Sequence, residues 1–215
     1  MQNTNNRESY NKSIIEQNYI SLCNMPSDIN EHLPTLYRYA TECESIIELG
    51  VRGCISSWAL VNGLLQNKKT TKKILLNDLT ECDIRSLLDV TNDLGVVVEY
   101  KWMNDLHLIL QDDVDLTFID TWHVYGQLKR ELIKFSKITR KYIIMHDTTV
   151  DEIYGETIRN NWNAVQQSYD SGIPVVEIKC GLGKAIDEFL IDNKNWILKE
   201  RFTNNNGLTV LERIN

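Results

Sequence analysis

SIIELGVRG (Ser45–Gly53), continued by CISSWALVNGLLQ over residues 54–66, decides how this chain is read. A short apolar run closes on an acid, Glu48, and glycines follow at Gly50 and Gly53. The next segment has the apolar spacing of a helix, so the stretch predicts strand, tight turn, helix. Gly50 lets the backbone turn sharply and removes a Cβ that would crowd a ligand. The helix that follows presents its free N–H groups over the turn, an arrangement that holds nucleotide-like cofactors at the edge of a parallel sheet. Many α/β domains share such a turn. Two later segments sharpen it: FIDTWHVY (Phe118–Tyr125) and YIIMHDT (Tyr142–Thr148) are apolar strands ending in Asp and His.

Outward from that turn, strand and helix signals alternate. Strands are expected at Ile46–Leu49, Lys73–Asp78, Val96–Trp102, Leu116–Asp120 and Tyr142–Asp147. Helices are expected at Ser56–Gln66, Asp83–Asn92, Leu106–Leu110, Tyr125–Phe135 and Glu156–Ser168. Such repetition implies a parallel sheet covered on both faces. The tail differs: a helix in GLGKAIDEFLIDN, then WILKERF and GLTVLERI flanking TNNNG, an Asn-Gly hairpin signal. The expected fold is therefore α/β, three-layer and Rossmann-like. Its mostly parallel seven-stranded sheet ends in a C-terminal antiparallel hairpin, the layout of class I methyltransferases.

Upstream, residues 1–10 are polar and expected to fray, and Ile14–Leu22 has helical spacing. Met25–Asp28 is a break, after which Ser27 or Asp28 can cap a helix with Glu31 as partner. Pro34 marks a kink or restart in that helix. The domain reading is residues 1–40 as an N-terminal helical extension and 41–215 as the methyltransferase-type domain.

A net charge of −7 argues against nucleic-acid or anionic-membrane partners. No apolar run reaches membrane-span length, and MQNTNNRESY lacks a signal-peptide core. The five cysteines (Cys23, Cys43, Cys54, Cys82, Cys180) are scattered without a CxxC, as expected for reduced thiols in a cytoplasmic protein.

Several residues carry candidate chemistry. Asp78, ending the second strand, suits a ribose diol, because its two oxygens can accept both hydroxyl protons; the plain alternative is a solvated loop acid. Asn104 and Asp105 after the third strand could reach an adenine, or simply form surface loop. Asp120 and Asp147 end neighbouring strands and suit a hard divalent ion such as Mg²⁺. His123 lies near enough to serve as general base, with His146 beside Asp147. In the bland reading, His123 starts a helix and His146 packs against it. Trp122 and Tyr125 could form a platform for a sugar ring, or be packing. Thr148–Gly155 reads as a polar, mobile lid.

ELGVRG, FIDTWHVYGQLKREL, KYIIMHDT, GLGKAIDEFL and ERFTNNNGLTVLER, in that order, resemble the cephalosporin hydroxylase-like family. That family belongs with class I S-adenosylmethionine-dependent methyltransferases and is similar to the metal-dependent macrolide sugar O-methyltransferases. The resemblance places Glu48, Gly50 and Gly53 in the cofactor motif and Asp78 at the ribose. It makes Asp120 and Asp147 metal carboxylates and His123 the catalytic base. One position departs: the relatives carry an acid beside the last metal Asp, where this chain has His146. An imidazole favours softer ions, Mn²⁺ over Mg²⁺. The implied activity is S-adenosylmethionine-dependent methyl transfer to a sugar hydroxyl of a small molecule or glycan, with a homo-oligomer left open. Three rivals remain: a non-catalytic binding protein of this fold, an NAD-dependent oxidoreductase, and an iron hydroxylase using His123, His146 and Asp120.

Overall fold

The computed structural model describes residues 2–69 and 71–214, with side chains from residue 6 onward. Seven strands form one sheet in the order β3-β2-β1-β4-β5-β7-β6. They are β1 (Ser45–Leu49), β2 (Lys72–Asp78), β3 (Val96–Trp102), β4 (Val114–Ile119), β5 (Thr139–His146), β6 (Trp196–Phe202) and β7 (Leu208–Arg213). β1 pairs parallel with β2 and β2 with β3, whereas β7 runs antiparallel to both β5 and β6. The chain divides into two compact units, one up to Phe118 and one from Ile119.

In the first unit, α1 (Gln2–Asn24) precedes a 3-10 turn (Asn30–His32) and α2 (Leu33–Ala40). The expected fraying of residues 1–10 is corrected: the helix already runs from Gln2, while Met1 lies outside the described residues. Glu8 pairs with Lys12 one turn on at 2.8 Å, Arg7 pairs with Asp93 at 2.8 Å, and Ile15 is buried, so a local ion pair and tertiary contacts together hold this polar helix. Ser27 caps as expected, its hydroxyl accepting the Ile29 N–H at 3.3 Å, while Asn30 Oδ1 accepts the Ser27 N–H at 3.1 Å. Pro34 sits in the first turn of α2, where its missing N–H costs nothing, so it marks a restart and not a kink.

β1 then leads through the glycine turn into α3 (Ile55–Gln66), and α4 (Arg85–Thr91) connects β2 to β3. Leu49 is in register with Asn77, which sets Gly50 level with Asp78. Ile46, Ile47, Leu49, Leu60, Leu64 and Ile74 are fully buried and make this unit's core. The helix expected at Leu106–Leu110 shrinks to a 3-10 turn, Asp105–His107, because Asn104 Oδ1 accepts the Leu106 N–H at 2.8 Å and the chain leaves Leu108 extended. An open recess of about 300 Å³ lies beside the starts of β1 and β2, lined by Ile47, Leu75, Val97 and Ile109.

The second unit carries α5 (Tyr125–Phe135), α6 (Glu156–Arg159), α7 (Ala164–Ser171), α8 (Val175–Lys179) and α9 (Leu182–Asp192). The single helix expected at Glu156–Ser168 is broken in two. Asn161 adopts φ 54°, and Asn163 accepts the N–H groups of Val165 and Gln166, each at 3.1 Å. Asparagine tolerates the left-handed region and caps well, so two of them stop one helix and start another. Nothing in the periodicity marks α8. The terminal hairpin forms as expected, with Asn206 at φ 70° and Gly207 at φ 97° in its turn. No helix among the described residues is long and apolar enough to cross a membrane.

Candidate functional site

The glycine turn is built around Asp78. Gly50 stands at φ 89°, and Arg52 and Cys54 also adopt positive φ, 42° and 60°. One oxygen of Asp78 accepts the N–H groups of Val51 and Arg52, both at 2.9 Å. The other accepts the N–H and hydroxyl of Thr80 at 2.8 and 2.9 Å. Burial works against the charge, yet the N–H groups of Arg52, Thr80 and Val51 hold the carboxyl below its usual range. A carboxylate offers about four acceptor positions. All are used by the chain, so a ribose diol at Asp78 requires an exchange of partners.

Glu48 is fully buried and accepts the hydroxyls of Ser56 and, at 2.7 Å, Ser57, tying the strand end to the first turn of α3. Burial of the neighbouring Cys54 thiol, and after that the charge of Glu48, pushes that thiol up to about 12, which leaves it unreactive. Gly53 is open: a Cβ there would meet nothing within 4 Å. Asn104 is used as the cap described above, and Asp105 is buried.

The second unit gathers the other candidates. Asp120 follows β4, Asp147 follows β5, and His146 is the last residue of β5. His123 Nε2 lies 3.0 Å from Asp120 Oδ1 and Nδ1 lies 2.9 Å from Asp147 Oδ2. Burial opposes charge on this ring, but the two carboxylates raise its pKa well above the ordinary histidine value. In turn His123 and His146 lower Asp120, and His123 lowers Asp147, each against its own desolvation.

His146 is buried at 2% exposure, with Nε2 3.2 Å from the carbonyl of Asn205. An Nε2–H donating there leaves the neutral ring's Nδ1 lone pair facing Asp120 and Asp147, each 3.5 Å away. Metal-binding histidines are oriented in this way. Asp147 Oδ1 is buried and accepts no hydrogen bond. The ligand atoms of Asp120, His146 and Asp147 lie within 4.8 Å of one another. An orphaned buried carboxylate oxygen, a second carboxylate and an oriented imidazole fit a divalent cation. The sequence-expected trio is thus brought together.

Three residues escaped the sequence reading: Asp151, Glu156 and Arg159. Asp151, fully buried, is gripped by Arg159 at 2.7 and 2.8 Å and stands 3.6 Å from His123 Nδ1. Glu156 Oε2 stands 3.7 Å from the same atom. The run DEIYGETIR carried the signal, but the lid reading hid it. That reading is corrected. Thr149 and Val150 donate to Asn206 O at 2.9 and 3.0 Å, Leu182 donates to Asp151 O at 2.8 Å, and Arg201 pairs with Glu152 at 2.8 Å. A segment tied to the hairpin turn, α9 and β6 is a wall, not a lid.

The aromatic platform is corrected in part. Tyr125 is 5% exposed, its hydroxyl donating to Glu188 at 2.6 Å, and so is packing. Trp122 packs on the cluster of Val124, Ala164, Ile173 and Ile178, with its buried Nε1–H unmatched by an acceptor.

No family model and no curated protein sequence matches this chain. Solved structures do. The O-methyltransferase from Bacillus cereus in complex with SAH superposes with a TM-score of 0.59 at 17% identity, over 95% of this chain and 90% of that one. A putative caffeoyl-CoA O-methyltransferase from Staphylococcus aureus gives 0.58 at 12%, over 94% and 91%. The N-methyltransferase NodS from Bradyrhizobium japonicum gives 0.55 at 11%, over 87% and 97%. At such identities the likeness establishes architecture: this chain has the Rossmann-like methyltransferase fold.

Proposed function

We propose that this chain is an S-adenosylmethionine-dependent O-methyltransferase, assisted by a divalent cation, that acts on a sugar hydroxyl of a small molecule or glycan. The observation that carries the reading is the group at the ends of β4 and β5. There His123 is bracketed by Asp120 and Asp147, and a buried Asp147 oxygen has no hydrogen-bond partner. The neighbours named for O-methyl transfer support it at the level of fold.

In this reading the turn from Gly50 to Gly53 cradles the cofactor, with Glu48 bracing the turn and Asp78 exchanging partners for the ribose. Asn104 and Asp105 border the adenine side. Asp120, His146 and Asp147 hold the cation, and the imidazole among them favours Mn²⁺ over Mg²⁺. A cation there would lower the pKa of a bound hydroxyl and fix its oxygen. His123 takes the acceptor's proton at Nε2, the nitrogen on the side of the more exposed Asp120. To do so it must first shed the proton that the two carboxylates hold on it. With S-adenosylmethionine bound, the acceptor oxygen would form its bond to the methyl carbon as the carbon–sulfur bond breaks, a displacement that needs mainly alignment.

The test is twofold. Calorimetry should show S-adenosylmethionine and S-adenosylhomocysteine binding and NAD not binding. Radiolabelled methyl transfer to a panel of sugars should require Mn²⁺ or Mg²⁺ and stop in chelator. Binding of NAD without the adenosyl compounds, or full transfer in chelator, would sink the reading.

A further inference from the structure

We propose that Glu156 is the positioning residue for His123. His123 lies in the loop between β4 and α5, outside any helix or strand, so its main-chain groups need partners from elsewhere. Glu156 supplies both. Its N–H donates to the His123 carbonyl at 2.9 Å, and its Oε1 accepts the His123 N–H at 3.2 Å. Its other oxygen faces the ring, 3.7 Å from Nδ1. One residue therefore grips the His123 backbone from both sides and flanks its imidazole.

The surroundings hold Glu156 in that grip. A Cβ on the preceding Gly155 would come within 2.8 Å of Val124 Cγ1 and of the Ile178 carbonyl, so only glycine lets this segment approach the loop so closely. Gly155 N–H also donates to Lys179 O at 3.2 Å. At the far end of α6, Arg159 forks onto Asp151, whose Oδ2 faces the same imidazole nitrogen. α6 is thus a bracket fixed to the base at one end and to a buried carboxylate at the other. An acid in a first helical turn commonly serves that helix's own N–H groups. Here the carboxylate turns back toward His123 instead, which a capping role does not explain.

That His123 is the base rests on the function proposed above; that Glu156 places it does not. The test uses the whole protein with ¹⁵N-labelled histidine, and the four histidines are sorted by a His123→Asn variant. Glu156→Ala should move the His123 amide and imidazole signals and speed exchange of its amide by about tenfold, while S-adenosylhomocysteine affinity changes less than about twofold. Glu156→Gln keeps an acceptor oxygen and should restore the wild-type signals. Methyl transfer, where measured, should fall about 10- to 100-fold in Glu156→Ala and recover in Glu156→Gln. Should Glu156→Ala fail to fold, Glu156→Asp withdraws the carboxylate by one methylene and must move the His123 amide. Unmoved His123 signals in Ala or Asp, or a Gln variant displaced as far as Ala, overturn the proposal. A wild type with the expected signals but no methyl transfer would remove the enzyme reading and leave the positioning intact.

Discussion

His123 Nδ1 stands 2.9 Å from Asp147 Oδ2, and Asp147 holds that position with a backbone φ of 56°. A non-glycine residue in the left-handed region costs about 1–3 kcal/mol unless its surroundings demand it. Here the reward is a carboxylate turned toward an imidazole whose other nitrogen meets Asp120 at 3.0 Å. Without a cation, protonated His123 is the counter-charge for both acids. It is a structural element as well as a candidate base.

Replacing His123 should therefore have two effects. His123→Ala leaves Asp120, Asp147, Asp151 and Glu156 facing one another, and in chelator the fold should lose about 3 kcal/mol, the scale for a buried ion pair robbed of one partner. Mn²⁺ should recover much of that loss. Turnover should drop by roughly two to four orders of magnitude even with the cation present. Melting curves with and without Mn²⁺ decide the first effect, and a stability unchanged in chelator would contradict it.

The stability of the cation-free protein should depend on pH in a set direction. Desolvation opposes charge on His123 and His146, but the adjacent carboxylates raise both pKa values above the ordinary range. Their contribution is complete below the unfolded histidine value of about 6.5 and is lost as pH rises through the folded values. Asp120 and Asp147, held low, contribute above the unfolded value of about 3.9 and lose that contribution as pH falls through theirs. Burial raises Glu156, which also weakens the fold as pH rises. In chelator the melting temperature should peak between about pH 4 and 6.5 and fall on the alkaline side. Mn²⁺ affinity should rise with pH, because His146 must be neutral to bind. A chelated protein most stable above pH 8 would contradict this.

Asp147→Asn separates charge from backbone. Asparagine tolerates φ 56°, so the turn survives while a ligand charge is lost. Mn²⁺ affinity by calorimetry should fall at least about tenfold while S-adenosylhomocysteine binding persists. Unchanged Mn²⁺ affinity would remove Asp147 from the ligand set.

Asp78→Ala should cost stability as well as cofactor affinity, because its carboxylate accepts from Val51, Arg52 and Thr80. A loss of about 1–3 kcal/mol is expected by urea denaturation without any ligand. If stability held and only S-adenosylhomocysteine affinity fell, Asp78 would be a binding residue alone.

The strand ends were the legible part of this chain. Apolar runs closed by Glu48, Asp78, Asp120 and Asp147 announce their own positions, because a buried parallel strand must exit on a polar residue at the ligand edge. β3 and α5 were predicted to the residue, Val96–Trp102 and Tyr125–Phe135. The illegible part was decided by contacts between distant segments. α1 persists through its pairing with Asp93, and the helix after β5 is divided by two asparagines. Asp151 reads as a loop acid and Glu156 as the start of a helix, because nothing local says that Arg159 and His123 will meet them. Periodicity reports which face is apolar; it does not report which buried carboxylate finds a partner.

Gly207 joins the terminal hairpin to this site, and its replacement gives the last prediction. Gly207 adopts φ 97°, and a Cβ there would lie 2.3–2.6 Å from the Oγ1, N and Cβ of Thr149. Thr149 and Val150 both donate to the neighbouring Asn206 carbonyl, and Thr148 donates to Gly207 O at 3.4 Å. Gly207→Ala therefore combines a backbone strain of about 1–2 kcal/mol with an overpacking cost of about 1–3 kcal/mol. The clash is relieved by moving the hairpin turn or residues 148–150, and Asp147 and Asp151 border that second stretch directly. The variant should melt lower and also bind Mn²⁺ more weakly, although no ligand has been altered. Val97→Ala, a half-exposed change on β3, is the control: it should leave Mn²⁺ affinity as it is. If Gly207→Ala lost stability but kept wild-type Mn²⁺ affinity, the hairpin turn would be a scaffold for the sheet edge without influence on the carboxylates it borders.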